Sequence, residues 1–110
     1  MTKIEFMKAY NINILAEFDM IKDIFDIKKI NKQLENCSLL IDLIFYTDDF
    51  SYLKNEKFPL VYNKGNTCCV VLKKNISEYL FCFFDKPENK SMIDIYDFSK
   101  ILDTKISIIE

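Results

Sequence analysis

Three segments in the second half of the chain carry the apolar runs of strands. They are Pro59–Tyr62, Thr67–Leu72 and Tyr79–Phe84, each rich in β-branched or aromatic residues and bounded by polar turn formers. Between the first two, Asn63–Lys64–Gly65–Asn66 places the chain's single glycine where a hairpin takes a left-handed residue. Lys73–Lys74–Asn75 begins the next reversal and Asp85–Lys86–Pro87–Glu88–Asn89 the one after. Ser91–Asp97 fits a further strand, with Met92, Asp94, Tyr96 and Phe98 along one face and Ile93, Ile95 and Asp97 along the other. Ser99 then caps a short helix to Asp103, ahead of a final apolar segment Ile106–Ile109.

The first half is less uniform. Residues 3–16 fit a helix from Lys3 to Tyr10, or short strands in which Ile4 and Phe6, then Ile12 and Ile14, alternate with polar neighbours. From Phe18 to Asn36 the period lengthens: Phe18, Ile21 and Phe25 fall at i, i+3 and i+7, with Ile24 and Ile27 widening the stripe. Acidic residues stand early and lysines late, which suits a helix dipole, so an amphipathic helix is expected here. Ser38–Tyr46 carries two patterns at once. Ile30, Leu34, Cys37, Ile41 and Ile44 keep a helical spacing, while Leu39, Ile41, Leu43 and Phe45 alternate; β-branched and aromatic content favours the strand. Thr47–Asp48–Asp49 reads as a turn and helix cap, followed by a short helix through Tyr52–Lys54. The sum is an α+β fold: one domain over residues 1–110, with an N-terminal amphipathic helix or helices packed on an antiparallel sheet of about four to five strands.

Composition narrows what such a domain does. Half of the 110 residues are hydrophobic and 15% aromatic, enough for a core without staples. The chain has no histidine, arginine or tryptophan. Without histidine there is no imidazole base and no histidine-ligated metal, and without arginine no bidentate fork for phosphate. One glycine leaves no Gly-rich phosphate loop. Ile, Lys, Phe, Asn and Tyr supply about half of the chain, the signature of AT-rich codons, so these absences speak against catalysis without speaking for any function. A net charge of −2 disfavours binding to nucleic acid by phosphate neutralisation. No apolar run reaches membrane-spanning length and none resembles a signal peptide, so a cytoplasmic protein is expected. Cys37, Cys68, Cys69 and Cys82 lack the paired spacing of zinc ligands. Adjacent Cys68 and Cys69 on a strand point to opposite faces, and all four read as reduced, buried, apolar residues.

Several constellations carry chemistry beside a plainer reading. Asp19, Asp23 and Asp26 would share one face of a helix and hold a divalent cation, or form a solvated flank. Glu88–Asn89–Lys90 with Asp42 has the residue types of a metal-dependent nuclease, as does Asp103–Thr104–Lys105, but neither sits on a strand. Lys73 and Lys74 would have to activate Cys69 for thiol chemistry. The most distinctive groups are acids next to aromatics: Asp42, Tyr46, Asp48, Asp49, Phe50 and Tyr52, with a thinner set of Asp94, Tyr96 and Asp97. Carboxylates that steer beside aromatics that anchor are what an inhibitor of a basic protein presents; the plainer reading is turn capping and core tyrosines.

These features together suggest no cofactor, no metal and no catalytic residue. The expected role is an immunity protein that occludes the active site of a cognate toxin domain, a basic nuclease being the natural target. Alternatives from other classes are a phage- or mobile-element-encoded inhibitor or assembly protein, self-associating through an edge such as Ser91–Asp97, and an enzyme using carboxylates and a metal.

Overall fold

Residues Thr67–Leu72 and Tyr79–Phe84 are buried at every position. A strand with one wet face alternates in burial, whereas these two have none and so require cover on both sides. The computed structural model describes residues 2–30, 35–47, 49–85 and 91–106, and it supplies that cover with helices. In chain order the elements are α1 (Lys3–Ala9), β1 (Ile14–Asp19), β2 (Ile24–Lys29), α2 (Glu35–Thr47), a 3-10 helix (Phe50–Asn55), β3 (Leu60–Lys64), β4 (Thr67–Lys73), β5 (Glu78–Asp85) and α3 (Met92–Lys105). The five strands form one sheet in the order β2-β1-β5-β4-β3, with every pair antiparallel.

The alternation of side chains across the sheet sorts the core into two halves. Leu15, Cys68, Val70, Leu72, Leu80, Cys82 and Phe84 meet Phe6 and Met7 of α1 and Ile95 and Leu102 of α3. Ile14, Ala16, Phe18, Cys69, Val71, Tyr79, Phe81 and Phe83 meet Cys37, Leu40 and Ile44 of α2 and Leu53 of the 3-10 helix. Cys68 and Cys69 do face opposite ways, and all four cysteines are reduced and buried. The α+β class and the antiparallel sheet are as the pattern predicts, and of the two readings of residues 3–16 the structure takes the helix for Lys3–Ala9, with Ile14 opening β1. The three C-terminal strands and the β3–β4 hairpin, where Gly65 sits at φ 58°, are also as predicted.

Three elements differ from expectation. The helix expected from Phe18 is a hairpin of β1 and β2. Asp19 Oδ1 accepts from the Ile21 and Lys22 N–H groups at 3.0 and 3.2 Å, and Asp23 adopts φ 55°, so a four-residue turn replaces helical propagation. Phe18 and Phe25, two helical turns apart by count, are cross-strand partners with stacked rings 4.5 Å apart. The strand favoured at Ser38–Tyr46 is helix α2. Cys37, Leu40, Ile41, Ile44 and Phe45 follow the i, i+3, i+4, i+7, i+8 rule and face the sheet. The strand expected at Ser91–Asp97 is the first half of α3. Ser91 caps it in a reciprocal box with Asp94, and Ser99 lies buried inside the helix rather than starting one, its hydroxyl donating to the Tyr96 carbonyl. The reversal at 86–90 and most of the apolar segment Ile106–Ile109 lie outside the described residues.

Phe81 is fully buried, with its ring 5.9, 5.7 and 5.7 Å from those of Phe25, Phe45 and Phe50. Replacing Phe81 by Ala should therefore cost about 3–5 kcal/mol in urea unfolding. Ser91→Ala, which removes only the cap of α3, should cost about 1 kcal/mol. Equal losses for the two would mean that the ring cluster is not the tighter of these packings.

Candidate functional site

Helix α2 has more apolar surface than its core-facing stripe can use. With Cys37, Leu40 and Ile44 turned inward, Leu39, Leu43 and Tyr46 fall at i, i+4 and i+7 on the outside, and Tyr46 is 80% exposed. Asp42 is exposed on the same helix, one turn before Tyr46, and no lysine occurs in the helix. The outer face therefore combines an aliphatic stripe, a phenol ring and a carboxylate.

A groove of about 400 Å³ opens where the C-terminal end of α2, the 3-10 helix and the β1–β2 turn converge. It is lined by Phe18, Phe25, Phe45 and Phe50, together with Asp23, Asp49 and Lys54. The rings form a connected cluster, with Phe25 at 4.1 Å from Phe45 and 5.5 Å from Phe50 by centroid. Asp49 caps the 3-10 helix by accepting from the Ser51 N–H at 3.0 Å, and hydrogen bonding from the backbone and side chain of Ser51 holds its carboxyl below the ordinary carboxylate value. Two carboxylates beside aromatic rings suit a cationic side chain, because the rings attract the cation while the carboxylates neutralise it.

The structure divides the expected acid–aromatic set. Asp42 and Tyr46 share the exposed side of α2; Asp49 and Phe50 line the groove; Tyr52 is half-buried against the same core half. Phe50 contributes mainly to packing. Asp94, Tyr96 and Asp97 stand on α3, across the sheet from α2, so they belong to a different surface. Asp94 is engaged by the Ser91 N–H and hydroxyl at 3.1 and 2.9 Å, and Lys100 Nζ lies 5.1 Å from the Tyr96 ring centre. Asp48 lies outside the described residues. Sequence reasoning missed Leu39 and Leu43, which it assigned to a strand face, and Asp23, which it placed on a helix.

The remaining constellations disperse. Asp19 ends β1, Asp23 is in the turn and Asp26 is on β2, so the three do not share a helical face, and no cluster of potential metal ligands occurs among the described residues. Glu88–Asn89–Lys90 lies outside the described residues, and Asp103–Thr104–Lys105 ends α3. Burial pushes the Cys69 and Cys82 thiols well up, and burial raises Cys37 although the Asn13 amide donates to its sulfur. Thiols held protonated are weak nucleophiles. No helix among the described residues is long and apolar enough to cross a membrane.

No family model matches the chain, and no curated protein matches it. Among solved structures, Myxococcus xanthus MglB has a similar chain path, with 14% identity, 94% of this chain and 90% of that chain covered, and a TM-score of 0.47. A likeness this loose transfers neither partner nor activity.

The buried thiols set an alkaline limit. Above their ordinary value of 9.0 the unfolded chain releases protons that the folded chain retains, so stability falls as pH rises. Tyr79, raised by burial from 10.0, extends the fall. The melting temperature should drop progressively as pH rises above the ordinary thiol value of 9.0, and a thiol reagent at about pH 8 should label the cysteines only on unfolding. A flat alkaline profile, or rapid labelling of the native protein, would contradict these burials.

Proposed function

We propose that this protein is a binding module that acts by covering a basic protein partner, and that the groove between α2 and the β1–β2 turn is where it grips. The observation that carries this reading is the pairing of Asp23 and Asp49 with four phenylalanines in one open groove. A lysine or arginine entering it meets carboxylates and rings together, while the neighbouring Leu39, Leu43 and Tyr46 offer the apolar contact and aromatic anchor that hold an interface. The specific form we favour is a cytoplasmic immunity protein that neutralises a nuclease-type toxin domain. An enzyme that handles nucleic acid concentrates positive charge around its cleft, and an acidic, aromatic surface blocks that cleft without chemistry of its own.

The test is co-purification with the product of the adjacent gene, followed by affinity against salt. Tight binding that weakens as salt rises is expected. Asp23→Asn with Asp49→Asn removes both charges but preserves local structure, since asparagine tolerates the left-handed backbone of residue 23 and still caps a helix at 49. This double variant should weaken binding by about tenfold or more, chiefly through slower association, at nearly unchanged melting temperature. Tyr46→Ala should instead speed dissociation. A partner bound equally well by both variants would place the interface elsewhere. A basic partner that is absent while α2's outer face packs against a second copy would favour the assembly role.

A further inference from the structure

Strand β2 is at an end of the sheet, with β1 on one side and no strand on the other among the described residues. Edge strands are normally blunted, because their free backbone groups template pairing. β2 carries charges of the blunting kind in Asp26, Lys28 and Lys29, but beside them it exposes Ile24 and Ile27 on opposite faces, with the exposed Ile30 just beyond on the face of Ile24. Its backbone polarity can be assigned. Met20 N–H donates to the Ser77 carbonyl toward β5, and Ile30 N–H donates to the Asn13 carbonyl toward β1. In an antiparallel ladder these directions alternate, so residues 24, 26, 28 and 30 address β1 while Phe25, Ile27 and Lys29 turn their N–H and C=O groups outward.

We infer that β2 is a homotypic docking edge, and that a second copy of this chain pairs with it antiparallel in the register centred on Ile27. Outward residues must meet outward residues, so two-fold pairing is limited to registers centred on a single residue. Centring on Asp26 sets carboxylate against carboxylate, and centring on Lys28 sets ammonium against ammonium. Centring on Ile27 sets Asp26 against Lys28 of the second copy twice, and Ile24 against Ile30 twice. These charge pairs fall at the non-hydrogen-bonded positions, where facing side chains come closest. Lys3 Nζ stands 3.9 Å from Asp26, but its shorter contact is to Glu17 at 2.8 Å, and Asp26 remains half-exposed to receive a second cation. Lys28 is exposed. The pairing would join two sheets into one of ten strands, and the outer faces of both α2 helices, which lie over β4 and β5, would stay free.

Sedimentation velocity from about 1 to about 300 µM tests this, with melting curves as the control for folding. The wild type should dimerise within that range. Lys28→Asp, which faces Asp26 with a like charge twice, should raise the dissociation constant by about tenfold or more. The swap Asp26→Lys with Lys28→Asp restores opposite charges across the two-fold axis and should recover wild-type affinity to within about threefold. A monomer throughout the range would overturn the inference. So would a dimer indifferent to Lys28→Asp, which would use another surface, and so would a weakened dimer that the swap does not rescue, which would have another register.

Discussion

The absence of a wet face on β4 and β5 governs the rest of the structure. Once the central strands are apolar on both sides, a single helical layer cannot satisfy them, and the chain must cross the sheet's plane to cover each face. It does so by placing α1 and α3 on one side and α2 with the 3-10 helix on the other. That division separates Asp94, Tyr96 and Asp97 from Asp42, Tyr46 and Asp49, although all six looked like one kind of surface in the sequence. It also explains why burial holds the thiols protonated: Cys69 and Cys82 lie on these central strands, where neither face admits water.

The sequence was legible where local chemistry and period agreed. Gly65 marks its hairpin, and the runs around Cys68–Cys69 and Phe81–Phe84 are too uniformly apolar for anything but buried strands. It failed where a tertiary contact imitated a local one. Phe18 and Phe25 are seven residues apart, a separation that means two turns in a helix and direct opposition in a hairpin with a four-residue turn. Asp19 decides between these by capturing two turn N–H groups, and an aspartate at that point reads equally well as the acidic first turn of a helix. At α3 the signal was present and outweighed: Ser91–Met92–Ile93–Asp94 is a capping sequence, but the alternation after it favoured a strand.

The misreading at α2 bears most directly on function. Its inward residues alone give an unambiguous helical stripe. The strand-like alternation came from Leu39 and Leu43, which a helix serving only the core would have made polar. The conflict between two periods was therefore the trace of a second apolar face. The groove beside it was not legible at all, since Asp23 and Asp49 are far apart in the chain and meet only because the β1–β2 turn reaches the end of α2.

A chain this rich in isoleucine and phenylalanine would carry exposed apolar residues whatever its function, so their number decides little. Arrangement decides more. Ile93 and Ile101 are exposed on α3, and Ile76 lines a pocket with Met20 and Ile21 beside the β1–β2 turn. Leu39, Leu43 and Tyr46 lie in helical register with Asp42 on a helix free of lysine, whereas Ile24 and Ile27 point to opposite faces of β2. Codon bias acts on each position independently and has no access to a helical period. Contiguous exposed apolar surface has a cost in solubility that scattered residues do not. Such contiguity on the outer face of α2 is the surface that the proposed partner would cover.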